Sequence, residues 1–282
     1  MRIVKLKGKK ASLTNKGELS LLFVGVGSAF TKRQYQTNLL IIKGDTNLLV
    51  DCGTRCPHAL YELGLSVTDI DNLVITHSHA DHVGGLEEVA LMNRYVAGKK
   101  TSIIITKEYQ DMLWKNSLVG GCSFNERKDN KFLKFEDFWD VIRPEKLKDY
   151  PRETFEARIG SLDIKLFRTK HIPDNSTDWK DSVTSYGIII DDKVMFTSDT
   201  RFDEELVLSF EKMFNLRSIF HDCQFFTGGV HASFEELNQL PADIKKKIYL
   251  VHYGDNWEKF EKTIENYGFM GLGKQSQYYI FN

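Results

Sequence analysis

The chain has no run of eighteen apolar residues, no surplus of either charge, no pair of cysteines two residues apart and no Gly/Pro-rich or low-complexity linker. Each absence excludes something. Without the long apolar run no helix can cross a bilayer, and the opening Met1-Arg2-Ile3-Val4-Lys5-Leu6-Lys7 spaces charges through the region where a signal peptide has its apolar core. A soluble, cytoplasmic protein is expected. Lys+Arg total 38 against Asp+Glu 39, a net charge of −1, so no global positive field gathers long nucleic acid or an anionic membrane. An anionic substrate must then be held locally, and the runs Lys99-Lys100 and Lys245-Lys246-Lys247 read as solvated faces. Cys52, Cys56, Cys122 and Cys223 lack the spacing of a zinc knuckle or a thioredoxin-type site and read as reduced thiols. Cys52 and Cys223 each flank an apolar strand and a carboxylate, which points to burial rather than redox work. With no repeat or linker to mark a boundary, residues 1–282 are expected to form one elaborated domain.

What is present is concentrated. Thr76-His77-Ser78-His79-Ala80-Asp81-His82-Val83-Gly84-Gly85 holds three of the eight histidines and a carboxylate within six positions, directly after the apolar run Asn72-Leu73-Val74-Ile75. That run reads as a buried strand, so the cluster lies at a strand end. His77 and His79, two apart in extended chain, project to one side, while Asp81 and His82 follow once the chain turns and can face a second centre. Imidazole and carboxylate donors without a thiolate suit zinc, with manganese or iron as alternatives, and speak against a closed structural zinc site. The glycine pair lets a helix start close to the cluster.

Strand signals over residues 19–24, 38–42 and 47–53 form an antiparallel meander, and residues 56–63 have helical spacing closed by Gly64. Gly25-x-Gly27 lacks the rest of a dinucleotide fingerprint and reads as a tight turn. His58 reads as structural or surface. Beyond the cluster, residues 86–95 and 107–114 read as helices and 102–105 as a strand. Residues 120–158 are charged and aromatic. There Phe135, Phe138 and Trp139 at helical spacing form either a small satellite core or, with residues 107–160, a lid or dimer segment. Strands over 162–168, 186–190, 193–197, 218–220 and 248–251 then run into His171, Asp199, His221-Asp222 and His252, and Ser233 with Glu236 opens a capping-box helix.

The ordered set His-x-His-x-Asp-His, then His171, then Asp199, then His252 resembles the metallo-β-lactamase superfamily over roughly residues 19–253, and Leu48-Leu49-Val50-Asp51-Cys52-Gly53 is similar to its Asp-x-Gly strand. The resemblance implies an α/β class, an αββα sandwich with two divalent metals along one edge of two packed sheets. It puts His77, His79 and His171 on one ion and Asp81, His82 and His252 on the other, with Asp199 bridging and Asp81 also counted as catalytic. Two dications about 3.5 to 4 Å apart need such an anionic bridge, and hydrolysis by the shared hydroxide follows. A Glu in place of His79 would have resembled the oxygen-reducing flavodiiron branch.

His221-Asp222-Cys223-Gln224 with Gly229-Val230-His231-Ala232-Ser233 is similar to the paired His-Glu-Ala-Thr and His-Ser-Thr boxes of the ribonuclease Z-like phosphodiesterases. By that match Asp222 orients His231, which stabilises a phosphoryl oxygen or protonates the departing alkoxide. Asp stands where that branch has Glu, and Gln where it has Thr. With five prolines and no tRNA-gripping arm, the chain is closer in character to the cyclic-nucleotide phosphodiesterases, including the anti-Pycsar enzymes. A small phosphodiester, most of all a cyclic nucleotide, is the implied substrate, its base stacked on an aromatic of the 30–35 loop, the Trp179 loop or the aromatic segment. In those relatives a homodimer helps complete the pocket. The alternatives are RNA processing of ribonuclease Z type, or thioester or lactone hydrolysis on the same metals.

Overall fold

A computed structural model gives the fold; it describes every residue except Lys7 and Lys9, so the end of the charged opening stretch lies outside the described residues. The chain divides into two compact units, each interrupted in sequence. The first comprises residues 1–25, 38–144 and 276–282, the second residues 26–37 and 145–275.

The first unit is built on one eight-stranded sheet in the order Arg2–Lys5, Gln277–Phe281, Leu19–Gly25, Asn38–Lys43, Thr46–Val50, Asn72–Val74, Thr101–Ile104, Trp139–Ile142. The first five are mutually antiparallel and the last three join in parallel. The change of direction follows from the connections: tight turns serve the meander, whereas the parallel strands are reached through the helices Cys56–Glu62, Leu86–Met92 and Lys107–Leu113. Leu21, Leu22 and Phe23 are wholly buried, as are Leu48 and Leu49, so both pleat faces of the central strands are covered and the sequence there reads as continuous apolar runs. The helix expected over 86–95 stays regular only to Met92. A π-helical turn, Asn93–Ala97, follows and stops at Gly98 with φ +63°. The Asn93 amide explains the change: it donates to Val89 O at 2.9 Å and Thr101 Oγ1 at 3.1 Å, tying the turn to the next strand.

The aromatic segment resolves into two fates. Phe135, Phe138 and Trp139 are buried, and Trp114 packs on the first two at 5.9 and 6.2 Å between ring centroids, which makes a satellite core. Phe124 and Phe132 stay exposed and meet edge to face. Residues 107–144 belong to the first unit and 145–160 to the second.

The second unit repeats the plan, with strands ordered Glu145–Lys146, Thr154–Ile159, Leu162–Arg168, Tyr186–Ile190, Val194–Phe196, Ser218–Asp222, Ile248–Val251, Gly271–Leu272. The first five are antiparallel and the rest parallel. Leu162–Arg168, Val194–Phe196, Ser218–Asp222 and Ile248–Val251 therefore all point the same way, and their carboxyl ends lie on one edge of this sheet. Polar side chains gather at such an edge because the strands themselves must stay apolar to be buried. The helix Glu204–Phe214, not anticipated from the sequence, is opened by Asp203 accepting from Leu206 N and carries Glu204 and Glu205 in its first turn. Leu206, Val207 and Phe210 are its buried stripe.

The four thiols are free and buried. Among the described residues no helix is long and apolar enough to cross a membrane.

Candidate metal centre

In the first unit the histidine cluster is organised by a residue that the ligand pattern left without a role, Asp51. Thr76 donates to it twice, from N–H to Oδ1 and from O–H to Oδ2, each at 2.7 Å, and His82 Nδ1 lies 2.7 Å from Oδ2. Asp51 is wholly buried and held at φ +63°. Burial pushes its carboxyl above the ordinary range, while His82 and the two Thr76 bonds pull back. The carboxylate fixes the His82 proton on Nδ1, which leaves Nε2 as the ligand atom. Thr76 does the same for His77: its hydroxyl, already donating to Asp51, accepts from His77 Nδ1 at 3.1 Å. The sequence signal for Asp51 was the Asp-x-Gly strand itself.

His77 Nε2 and His79 Nδ1 come to 3.0 Å, and His82 Nε2 lies 3.2 Å from Asp81 Oδ2. Two donors on one tetrahedral ion, each about 2.0–2.2 Å from it, sit about 3.3–3.6 Å apart, so both pairs have close to the spacing that a shared cation imposes. Asp81 and His82 ride on the short helix Ala80–Val83, which starts as the chain leaves His79. Ser78, between His77 and His79, meets the hydroxyl of buried Tyr109 at 3.0 Å. The glycine pair has a steric reason: a Cβ at Gly84 would stand 2.2 Å from Thr54 Oγ1, and one at Gly85 2.7 Å from Gly53 O.

In the second unit His171, Asp199, Asp222, His231 and His252 gather at the sheet edge, all but His231 buried. His171 Nδ1 donates to Val230 O at 2.8 Å, leaving Nε2 as its ligand atom. Burial pushes its pKa down to about 4, so the ring is neutral and able to bind a cation near pH 7. The two oxygens of Asp199 face different partners: Oδ2 lies 3.8 Å from His171 Nε2, and Oδ1 lies 3.4 Å from His252 Nδ1. Neither pair is hydrogen-bonded, and both separations are near the distance between neighbouring ligands on one ion. A carboxylate split in this way has the form of a bridge. His252 and Ser198 have φ of +61° and +50°, uncommon for non-glycine residues, which turn the chain sharply at the strand ends.

His231 stands over this edge with its Nδ1 2.8 Å from Asp222 Oδ2 and 3.9 Å from Asp199 Oδ2, and its ring stacks on His252 at 4.8 Å. The shorter acid reaches because the chain returns: Gln224 N donates to Ala232 O at 2.8 Å and Phe234 N to Gln224 O at 2.9 Å, laying His231 beside the strand end. Asp222 Oδ2 also accepts Thr200 N–H at 2.9 Å, which holds the carboxylate in place and the histidine proton on Nδ1. Ligand atoms of Asp222, His231 and His252 lie within 4.8 Å of one another. Among the remaining candidates, His58 is a surface residue 3.6 Å from Glu62, and Gly27 is a turn whose Cβ would stand 2.5 Å from Thr31 Oγ1. The residues in each unit thus fit divalent cations by donor type and spacing.

Because Asp51 sets the tautomer of His82, Asp51→Asn is expected to weaken metal binding by about 10- to 100-fold without unfolding the protein. Chelator competition followed with a zinc indicator measures it, and unchanged affinity would remove Asp51 from the centre.

The family model described as anti-Pycsar protein Apyc1 matches residues 19–279. The anti-Pycsar protein Apyc1 of Bacillus phage BSP38 is 38% identical over 266 residues, which cover 91% of this chain and 96% of that protein. Its counterpart in Paenibacillus sp. (strain J14) is 36% identical over 254 residues, covering 89% and 96%. Among solved structures, the metallo-beta-lactamase fold protein YhfI from Bacillus subtilis is similar with a TM-score of 0.67 at 17% identity, covering 94% of this chain and 100% of that one. The α/β class and the metallo-β-lactamase fold expected from the ligand order are therefore those of the chain. By a match that spans nearly its whole length, the chain belongs to the anti-Pycsar protein Apyc1 family.

Proposed function

We propose that the protein is a dinuclear-metal phosphodiesterase that hydrolyses a small phosphodiester, a cyclic nucleotide above others. The observation that carries this is the His231–Asp222 pair, 2.8 Å apart beside Asp199 and His252. A phosphodiester presents two non-bridging oxygens and an alkoxide leaving group, and a histidine held beside the cations can serve either. Family membership supports the same reading, since the relatives are named anti-Pycsar proteins.

In the proposed centre His77, His79 and His171 hold one cation and Asp81, His82 and His252 the other, with Asp199 between them. The bound ions, zinc by donor type, supply Lewis-acid charge and lower the pKa of a water. The side chains do the rest. Asp51, Thr76 and the Val230 carbonyl hold the ligand histidines in the binding tautomer. Asp222 keeps the His231 proton on Nδ1, so Nε2 faces the substrate and, once protonated, donates to a phosphoryl oxygen or gives its proton to the departing alkoxide. With a net charge of −1, we assign the protein neither a long nucleic acid nor a membrane as partner; the homodimer is carried over from the resemblance alone.

Metal-loaded protein offered a panel of 3′,5′-cyclic mononucleotides, cyclic dinucleotides, a tRNA precursor and a lactone, with products read by mass, tests the reading. Ring opening of a cyclic mononucleotide is expected. Turnover confined to the tRNA precursor or the lactone would replace the reading with one of those activities.

A further inference from the structure

Two loops of the second unit carry phenylalanines that the unit's own packing does not use. Phe30 is 88% exposed and Phe226 65% exposed, the two most exposed aromatic rings of that unit. Neither sits on a loose loop. The loop bearing Phe30 closes on Gly27, whose N–H donates to Tyr35 O, and it is tied to the His252 segment by Ser28 N–H donating to Tyr253 O at 3.1 Å. Asp255 accepts from the backbone N–H groups of Lys32 and Arg33 at 2.9 and 3.0 Å. Arg33 forks onto Glu258 at 3.0 and 2.7 Å and lies over the Trp257 ring. The loop bearing Phe226 follows the strand Ser218–Asp222 and packs on the same segment: Phe225 stacks on Phe260 at 4.3 Å with rings 6° from parallel, and lies 6.4 Å from Tyr253.

Other aromatics that could face a ligand are already engaged. Trp179 has Arg168 and Lys180 at its ring, at 5.9 and 5.4 Å, Tyr267 packs against Phe234, and Tyr35 is half-buried. Both free rings project from loops fastened to residues 252–260, which begin with a proposed metal ligand, and the Phe226 loop leads in five residues to His231. An ordered loop that exposes an apolar ring to water has a use for the ring, and what an aromatic face offers is stacking on a planar heterocycle with little regard to its substituents.

We propose that Phe30 and Phe226 are the base platform of the site, taking the nucleobase of the phosphodiester by stacking and setting KM rather than the chemistry. This rests on the phosphodiesterase reading. It is tested with metal-loaded full-length Phe30→Ala, Phe226→Ala and the double variant on two substrates sharing one bond, 3′,5′-cyclic AMP and the 3′,5′-cyclic phosphate of methyl riboside, which has no base. Each single change is expected to raise KM for cyclic AMP by about 5- to 100-fold with kcat nearly unchanged. Turnover of the base-less ring should match wild type, and Phe30→Trp, which keeps an aromatic face, should retain cyclic AMP binding. Equal losses on both substrates, or none on cyclic AMP, would overturn the platform while leaving the phosphodiesterase standing. A wild-type protein that cleaves neither ring would overturn both.

Discussion

Asp199→Ala is expected to lower phosphodiester turnover by about 10³-fold or more and to leave the protein with fewer than two ions per chain. The residue has no substitute. Its Oδ1 and Oδ2 face His252 and His171 separately, at 3.4 and 3.8 Å, and in the proposed centre they offset the repulsion between two dications. Without that charge the second ion is lost, and with it the positive charge that would stabilise developing negative charge on the substrate, an effect of several kcal/mol in which each 1.4 kcal/mol is about tenfold in rate. Asp199→Asn separates charge from shape: it keeps the volume and one oxygen but not the anion, and it too should lose most activity. Metal per chain by elemental analysis, read beside kcat/KM, checks both variants. Two tightly held ions and near-normal turnover in Asp199→Ala would end the bridging role.

His231→Ala should also be severe, lowering kcat by about 10²- to 10⁴-fold, but with metal content intact, because His231 acts on the substrate rather than as a proposed ligand. Its partner separates positioning from proton transfer. Asp222→Asn retains the hydrogen-bonding shape at 2.8 Å yet no longer favours the Nδ1–H tautomer or a protonated ring, so a large loss is expected there too. The double variant should be little worse than either single one, since the two side chains act as a unit. Two further readouts distinguish general acid catalysis from a structural effect. The basic limb of the pH profile should disappear in His231→Ala. The loss should shrink on bis-p-nitrophenyl phosphate, whose phenolate leaves without a proton. A uniform loss on good and poor leaving groups alike would instead assign His231 to binding.

Much of the centre was legible because its residues obey a local rule. Apolar runs over 72–75, 194–196 and 248–251 and the alternating strand 162–168 stop where His77, Asp199, His252 and His171 follow, and the switch to polar residues is visible along the chain. The capping box at Ser233 was equally local, and the helix over Phe234–Leu237 begins there. Where helical periodicity was read past its end, at 93–95, the reason lay in Asn93 reaching Thr101 across eight residues, a contact that periodicity does not encode. The helix Glu204–Phe214 was passed over although Asp203 and its acidic first turn mark its start.

The sequence by itself carried the strand ends, the lack of a long apolar run and the order of the seven proposed ligands, whose resemblance to a known superfamily implied the fold class, since strand ends, donor chemistry and apolar length depend on residues close together in the chain. Only the tertiary structure decided that Asp51 orients His82 across 31 positions, that the short Asp222 reaches His231, and that Phe135 and Trp139 are buried while Phe30 is left in water. Those outcomes depend on strand register and loop closure, which bring distant residues within hydrogen-bond reach or keep them apart, and no local pattern records the result.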